Sequence, residues 1–280
     1  MKKILLFLPF VSYLVKDRNR LLAERDILKL EISRLDHRIS LRQKPGLKKW
    51  QKIINVCQQE IRNNHPHPVL AKKYHLREIF YWQNLIRWLY HFRYLKIKNC
   101  LEIGCGYGTI SLFCHRLFDC RNYCTDIYSK YFPHFLVPKY QFHFKIHNIE
   151  TDQSPFRQKF DLIILTEVIE HFNFTLVPTL QKIIKNLSPR GIILVSTPDR
   201  RSWGFQKKYY RHYYQLPSSN LKSKTKRQLI DDHVWHFDLP QLKKIFQESG
   251  LKIIKFKRSP GIGKKHLNFI LSLQKQHGWS

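Results

Sequence analysis

LEIGCGYGT, Leu101 to Thr109, follows a short apolar run and leads into a stretch of helical periodicity. Gly104, Gly106 and Gly108 let the backbone turn sharply and approach a ligand closely, because no Cβ stands in the way. A glycine-rich turn is common to many nucleotide-binding chains, so the neighbouring segments have to decide its meaning. The next apolar run, NYCTD, ends in Asp126, 20 residues beyond Gly106. A carboxylate at that place can accept hydrogen bonds from both hydroxyls of a ribose. A third run ends in HNIE, which sets Asn148 where a side-chain carbonyl can accept from an adenine amino group. The fourth, FDLIILTEVIEHF (Phe160–Phe172), supplies a strand end and a turn that form the floor of such a site.

Outward from the loop, short apolar runs alternate with helical stretches. Strands are predicted at 99–103, 122–126, 141–147, 160–165, 191–196, 251–257 and 266–273, with helices near 108–118, 128–137, 174–187 and 239–249. This alternation implies a doubly wound α/β sheet, mostly parallel, with ligands at the carboxyl ends of its strands. SPGIGKK, between the last two strands, is too short for a crossover helix, so those two must run antiparallel. The expectation is a seven-stranded domain over 98–275 with only the final strand reversed. Before it, residues 45–97 read as a helical cap of two helices, 47–63 and 70–95, parted by HPHP (His65–Pro68). The second carries a dense aromatic stripe (Tyr74, Phe80, Tyr81, Trp82, Trp88), expected to pack against the sheet domain, with one or two rings lining a pocket.

Residues 1–44 form a third section. ILLFLPFVSYLV (4–15) is uncharged and flanked by lysines, too short to cross a bilayer and without a small-x-small cleavage site. It is suited to a membrane interface or to packing on the body. Leu14, Leu21, Leu28 and Leu35 then recur every seven residues with Ile32 and Ile39 at the complementary core positions, where Arg18 and Arg25 interrupt the pattern. That pattern fits a short coiled coil, and hence a homodimer through the N-terminal helix, or a helix hairpin.

Charge is extreme and uneven. The chain has 50 Lys+Arg against 20 Asp+Glu, and the middle hundred residues hold only 11 of the first and 9 of the second. Two basic ends therefore flank a nearly neutral centre. Such ends attract nucleic acid, an anionic membrane or an acidic glycan; with only two alanines in the chain, compositional bias is the competing account. Six cysteines without C-x-x-C or zinc spacing suit reduced thiols in a cytoplasmic protein, peripheral to the inner face of the membrane if the basic ends dock there. A hydrophobic content of 43% excludes wholesale disorder.

Taken together, the glycine turn, the acid ending the second strand, N-I-E-T-D after the third, E-V-I-E-H after the fourth and LSPRGIILVSTPD around the fifth resemble the class I S-adenosylmethionine-dependent methyltransferases. The resemblance spans roughly residues 96–258. It implies S-adenosylmethionine as cofactor, lying over Gly104, Cys105, Gly106 and Gly108. It further implies that Glu102 organises the loop and the methionine amino group, that Asp126 with Ile127 holds the ribose, that Asn148 with Ile149 frames the adenine, and that Thr166 and Glu167 close the site. Two departures stand out: LSPRG replaces the usual Pro-Gly-Gly turn, and prolines break the helix at 128–138.

The acceptor side is less determined. Arg200–Asp238, inserted where this fold commonly carries a substrate cover, mixes aromatic residues with lysine and arginine and is expected to form a pocket lid. Glu167, Glu170 and His171 stand at i, i+3 and i+4, on one face if the turn is helical. With His233 they can hold a divalent metal, Mg or Mn, and Glu167 and His171 are the candidate catalytic bases. The constellation resembles small-RNA 2′-O-methyltransferases, which use E-x-x-E-H and a later histidine for metal. It also resembles ubiquinone-pathway O-methyltransferases, and in many relatives the motif is structural, its histidine hydrogen-bonded near the cofactor. The leading expectation is O-methylation of a glycan, lipid-linked saccharide or small metabolite, as in bacterial surface-polysaccharide pathways. RNA 2′-O-methylation and a non-catalytic scaffold are the alternatives.

Overall fold

The computed structural model describes Leu21, Leu22, Glu24 and residues 48–204, 209–218, 230, 232–260 and 266–276, with side chains for all but 77–83. The helical cap is α1 (Lys49–Asn64) and α2 (Pro68–His91). The sheet domain follows as β1 (Asn99–Ile103), α3 (Thr109–Phe118), β2 (Arg121–Asp126), α4 (Leu136–Tyr140), β3 (His143–Ile146) and β4 (Phe160–Thr166). It continues with α5 (Leu176–Lys185), β5 (Leu187–Pro198), α6 (Arg200–Trp203), α7 (Leu239–Glu248), β6 (Leu251–Pro260) and β7 (Leu267–Lys275). The seven strands lie in the order β3-β2-β1-β4-β5-β7-β6. Only β7 is reversed, pairing antiparallel with both β5 and β6. The expected architecture holds, and the short connection after β6 explains the reversal.

Strand order reverses between β1 and β4, whose neighbours continue in opposite directions. Crevices open at the carboxyl ends of strands at such a switch point. The central strands are nearly continuous apolar runs because both faces are covered. Cys100, Leu162, Ile164 and Leu194 point to the side packed by α1–α3, while Leu101, Ile163, Leu165 and Val195 point to the side packed by α5 and α7. Period-two alternation thus divides one sheet between two cores.

Three boundaries differ from expectation. The helix expected over 128–137 contracts to Leu136–Tyr140. Pro133 lacks an N–H, and the residues before it turn irregularly beneath the glycine loop. The strand expected over 141–147 is His143–Ile146. LSPRG, expected as a turn, belongs to β5, where Phe160 pairs with Leu187 and Leu162 with Ile192, so the extra residues bulge outward. A Cβ on Gly191 would lie 2.9 Å from the Phe160 carbonyl oxygen, which explains why glycine ends the bulge.

The cap is fastened by charge as well as packing. Glu60 of α1 accepts from Arg116, from Lys139 Nζ at 2.7 Å and from Tyr140 Oη at 2.5 Å. Leu21, Leu22 and Glu24 are helical; the apolar segment 4–15, the remaining heptad positions and the dimer expected through them lie outside the described residues. Among the described residues no helix is long and apolar enough to cross a membrane.

Candidate active site

The loop between β1 and α3 is fixed by backbone bonds to the end of β2. The N–H groups of Gly104 and Cys105 donate to the Thr125 carbonyl at 2.8 and 3.1 Å, and the Gly106 N–H donates to Asp126 Oδ2 at 2.8 Å. Gly104, Gly106 and Gly108 all have positive φ, at 71°, 47° and 63°. At Gly104 two features favour glycine, the positive φ and the space, since a Cβ would sit 2.4 Å from Val168 Cγ2 and force that side chain to shift. Asp126 spends one lone pair of each carboxylate oxygen on the backbone, its Oδ1 accepting from the Tyr128 N–H at 3.1 Å.

Above this loop opens a cleft of about 530 Å³. Its walls include Gly104, Gly106, Asp126 and Ile127 on one side, Asn148 and Ile149 on another, and Thr166, Glu167 and His171 at the floor. Nine of the residues singled out from sequence are therefore brought together. Cys105 and Gly108 are not in the wall; Cys105 is buried and Gly108 packs against Phe132 and Leu136. Glu102 lies beneath the loop, 2% exposed, where its carboxylate accepts from the N–H and hydroxyl of Ser111 in the first turn of α3. Burial pushes its pKa up to about 8. Asn148 folds its carbonyl back onto the Glu150 N–H at 2.9 Å, so the acceptor expected to meet adenine already serves a local turn.

The cap supplies part of the wall, as expected for a ring of its aromatic stripe, with Leu70 and Lys73 as the members that sequence reasoning did not single out. Leu70, Lys73 and Tyr74, one face of the first turns of α2, enter the cleft, together with Tyr107, Tyr128 and Tyr131. Tyr107 is a hub, its ring 4.8 Å from Tyr74, 5.2 Å from His65 and 5.6 Å from Tyr131. His65 Nε2 donates to the Tyr131 carbonyl at 3.1 Å, so HPHP ties the cap over the loop. The aromatic stripe was the available signal, but it did not say which ring would turn inward.

At the far end, Glu167 has a left-handed backbone, φ 55°, uncommon for a residue with a side chain. Its two carboxylate oxygens accept from Ser196 Oγ and Asn268 Nδ2, each at 2.6 Å, and Asn268 Oδ1 accepts from Trp203 Nε1 at 2.8 Å. Burial raises the Glu167 pKa to about 7 against the opposing effect of those donors. The helical face expected for Glu167, Glu170 and His171 does not form. The turn is a short 3₁₀ segment, Ile169–His171, and the left-handed Glu167 aims away from it.

Glu170, His171 and His233 do converge, with one ligand atom from each within 4.8 Å of the others. Glu167 stands outside this group. Glu170 is fully buried; Thr197 Oγ1 donates to its Oε2 at 2.9 Å, and its Oε1 has no hydrogen-bond partner among the described residues. Burial, with the Glu167 charge nearby, pushes its carboxyl well above the usual range. The His171 and His233 rings meet edge-on at 4.7 Å. His233 Nδ1 and His236 Nε2 are 2.8 Å apart, and His236 Nδ1 donates to the Gly204 carbonyl at 3.1 Å, which assigns the His233 proton to Nδ1. Burial, then His171 and His236, depress the His233 pKa to about 4.

The expected cover behaves differently from a lid among its described residues. Trp235 and Phe237 are buried in the core, and Tyr213 Oη accepts from the Leu176 N–H at 2.8 Å. Those rings fill the sheet face beside α5 and α7 because that face has apolar area to cover. His233 against His171 and Ile230, in a smaller recess beside the cleft, are what reaches the site.

Residues 35–255 match a family model described as a methyltransferase domain. The chain belongs to this methyltransferase family. It is accordingly a class I S-adenosylmethionine-dependent methyltransferase, with the fold of that superfamily. Among solved structures, this methyltransferase resembles an S-adenosylmethionine-dependent methyltransferase from Clostridium acetobutylicum ATCC 824, at 11% identity and TM-score 0.54 over 74% of this chain and 98% of that one. It also resembles the [4+2]-cyclase SpnF, at 12% identity and TM-score 0.50 over 70% and 83%. Magnesium protoporphyrin IX methyltransferase from Synechocystis PCC 6803 aligns over 83% and 86% at 14% identity, with TM-score 0.48. These likenesses are likenesses of fold. No curated protein matches the sequence.

Proposed function

We propose that this methyltransferase transfers a methyl group from S-adenosylmethionine to a hydroxyl oxygen of a glycan, a lipid-linked saccharide or another small metabolite. The cleft suits the cofactor on its own chemistry. The glycine cradle leaves backbone within reach of a ligand, Asp126 sets a carboxylate in the cleft wall where ribose hydroxyls would meet it, and Ile127 and Ile149 offer apolar faces for a base. Lys73 is the sole Lys or Arg among the lining residues and suits the cofactor's carboxylate. The bound cofactor supplies an electrophilic methyl on a sulfonium. The protein's remaining work is to align the acceptor and take its proton.

The observation that carries the oxygen reading is the floor, where Glu167 and His171, two proton acceptors, line the same cleft. A hydroxyl, a weak nucleophile until its proton is drawn off, needs such a base as it attacks; a neutral amine attacks with its lone pair and can shed its proton afterwards. The test is incubation with methyl-labelled cofactor and separate polysaccharide, lipid and RNA fractions. Label in polysaccharide or lipid, stable to mild alkali as an ether is, supports the reading; label in RNA contradicts it.

A second reading rests on the convergence of Glu170, His171 and His233. One carboxylate and two imidazoles form a donor set for a divalent ion, and the partnerless Glu170 Oε1 is what such an ion would satisfy. Glu170, His171 and His233 would then hold Mg or Mn, and the ion would supply affinity for a terminal ribose of RNA. Activity lost to a chelator and restored by Mn²⁺ would establish it. Six buried thiols and the basic ends support a cytoplasmic enzyme at the inner membrane face, and the heptad leucines support pairing through the N-terminal helix.

A further inference from the structure

We propose that the rim of the cleft is itself a docking face for an anionic lipid surface, so that the site opens onto the membrane. The apolar residues exposed at the mouth come from two sides. Val69, Leu70 and Tyr74 of α2 are 55%, 48% and 37% exposed; Ile127, Tyr128 and Ile146 at the strand ends are 45%, 40% and 64% exposed. They form one surface, because Leu70, Tyr74, Ile127 and Tyr128 line the same cleft and Ile146 lines the recess that shares Ile127 and Tyr128.

Bound cofactor accounts for part of this exposure, since Leu70, Tyr74 and Ile127 face the cleft. It does not account for Val69 and Ile146, which are absent from the cleft wall. Exposed apolar patches of this kind mark interaction sites. Charge selects the partner. Lys73 lines the cleft, and the exposed Lys130 sets its Nζ 5.0 and 4.7 Å from the ring centroids of the rim residues Tyr128 and Tyr131. Lysine ammonium groups above an apolar stem, beside tyrosine and aliphatic side chains, match the boundary between acyl chains and anionic headgroups. Four of the six exposed residues, Val69, Leu70, Ile127 and Ile146, have no π-face for a base to stack on and no hydrogen bond to offer, which favours acyl chains over RNA.

The inference uses the proposed function only in taking this cleft as the cofactor site, and cofactor titration of the same variants reads that part separately. All six native cysteines are buried, so a single surface cysteine can be labelled selectively in the full chain. Ile146→Cys and, at the opposite end of the sheet, Arg121→Cys would each carry an environment-sensitive fluorophore. Vesicles of phosphatidylglycerol and phosphatidylcholine should shift emission from position 146 to the blue and leave position 121 unchanged. Val69→Ser with Ile146→Ser should weaken vesicle binding about tenfold, as loss of two apolar anchors implies, with cofactor affinity retained. The labelled variants carry the test even if the double variant is unstable. A silent probe at 146 on a protein that still sediments with vesicles would overturn the proposal, as would equal responses at both positions or a response to RNA in place of vesicles.

Discussion

The two ends of the cleft are built by opposite means. At the glycine loop, Asp126 is held by backbone N–H groups from Gly106 and Tyr128, all within a few dozen residues of sequence. At the floor, Glu167 is held by side chains of Ser196 and Asn268, the latter 101 residues away, and Glu170 lies beside a histidine brought by the segment after residue 230. The first end sets its carboxylate in the cleft wall against backbone N–H groups. The second encloses Glu170 fully and Glu167 in part, and raises both toward neutrality. In the proposed reading one end would hold the cofactor and the other would take up a proton, the division a methyl transfer to a hydroxyl requires.

The sharpest way to break this contrast is Gly104→Ala. Both the positive φ and the 2.4 Å approach to Val168 oppose a Cβ. Cofactor affinity should fall more than about a hundredfold, since strain of roughly 2–3 kcal/mol or more enters the loop itself. Calorimetry showing near-normal affinity would mean that the loop is not the cradle.

The unequal legibility of the two ends has the same origin. A glycine turn, an acid 20 residues on and apolar runs of strand length are local patterns, and they disclosed the sheet, its reversed last strand and nine residues of the cleft wall. Asn268, Ser196 and Trp203 carry no local signal; only the pairing of β5 with β7 sets Ser196 beside Ile270 and brings Asn268 to the same edge. The helical face assumed for Glu167, Glu170 and His171 failed because spacing alone does not reveal the left-handed backbone at Glu167. Tyr213, Trp235 and Phe237 looked like a lid because an inserted aromatic segment has the same composition whether it covers a ligand or a sheet.

Asp126→Ala comes next. It removes the expected ribose contacts and frees Gly106 and Tyr128, so affinity for the cofactor should drop about tenfold to a hundredfold, or roughly 1–3 kcal/mol. Unchanged binding in a titration would detach Asp126 from the site.

Asn268→Leu probes the other end without touching the loop. Cofactor affinity should be retained while turnover falls about tenfold, the scale of one hydrogen bond to a charged group. Losing a donor to its ionised form should also raise the Glu167 pKa further above about 7, moving the acid limb of the pH–rate profile upward. An unmoved limb would deny Glu167 a role in proton transfer and leave His171 as the base.

Glu102→Gln should have the smallest effect, on stability alone. Both Ser111 donors bond one oxygen of Glu102, which a glutamine carbonyl can replace. Its folded pKa, about 8, is raised from 4.5, so the wild-type advantage of a bound proton is present below 4.5 and lost as pH rises through 8. Urea denaturation at pH 6 and pH 9 should show the variant gaining on the wild type at the higher pH; parallel curves would mean that Glu102 titrates normally.

The most direct measurement of the central claim is a calorimetric titration of S-adenosylmethionine into the full chain, with NAD as the competing nucleotide. The account predicts saturable binding of one cofactor molecule per chain, weakened by Asp126→Ala and indifferent to Asn268→Leu. Absence of binding, or binding of NAD in its place, would contradict it.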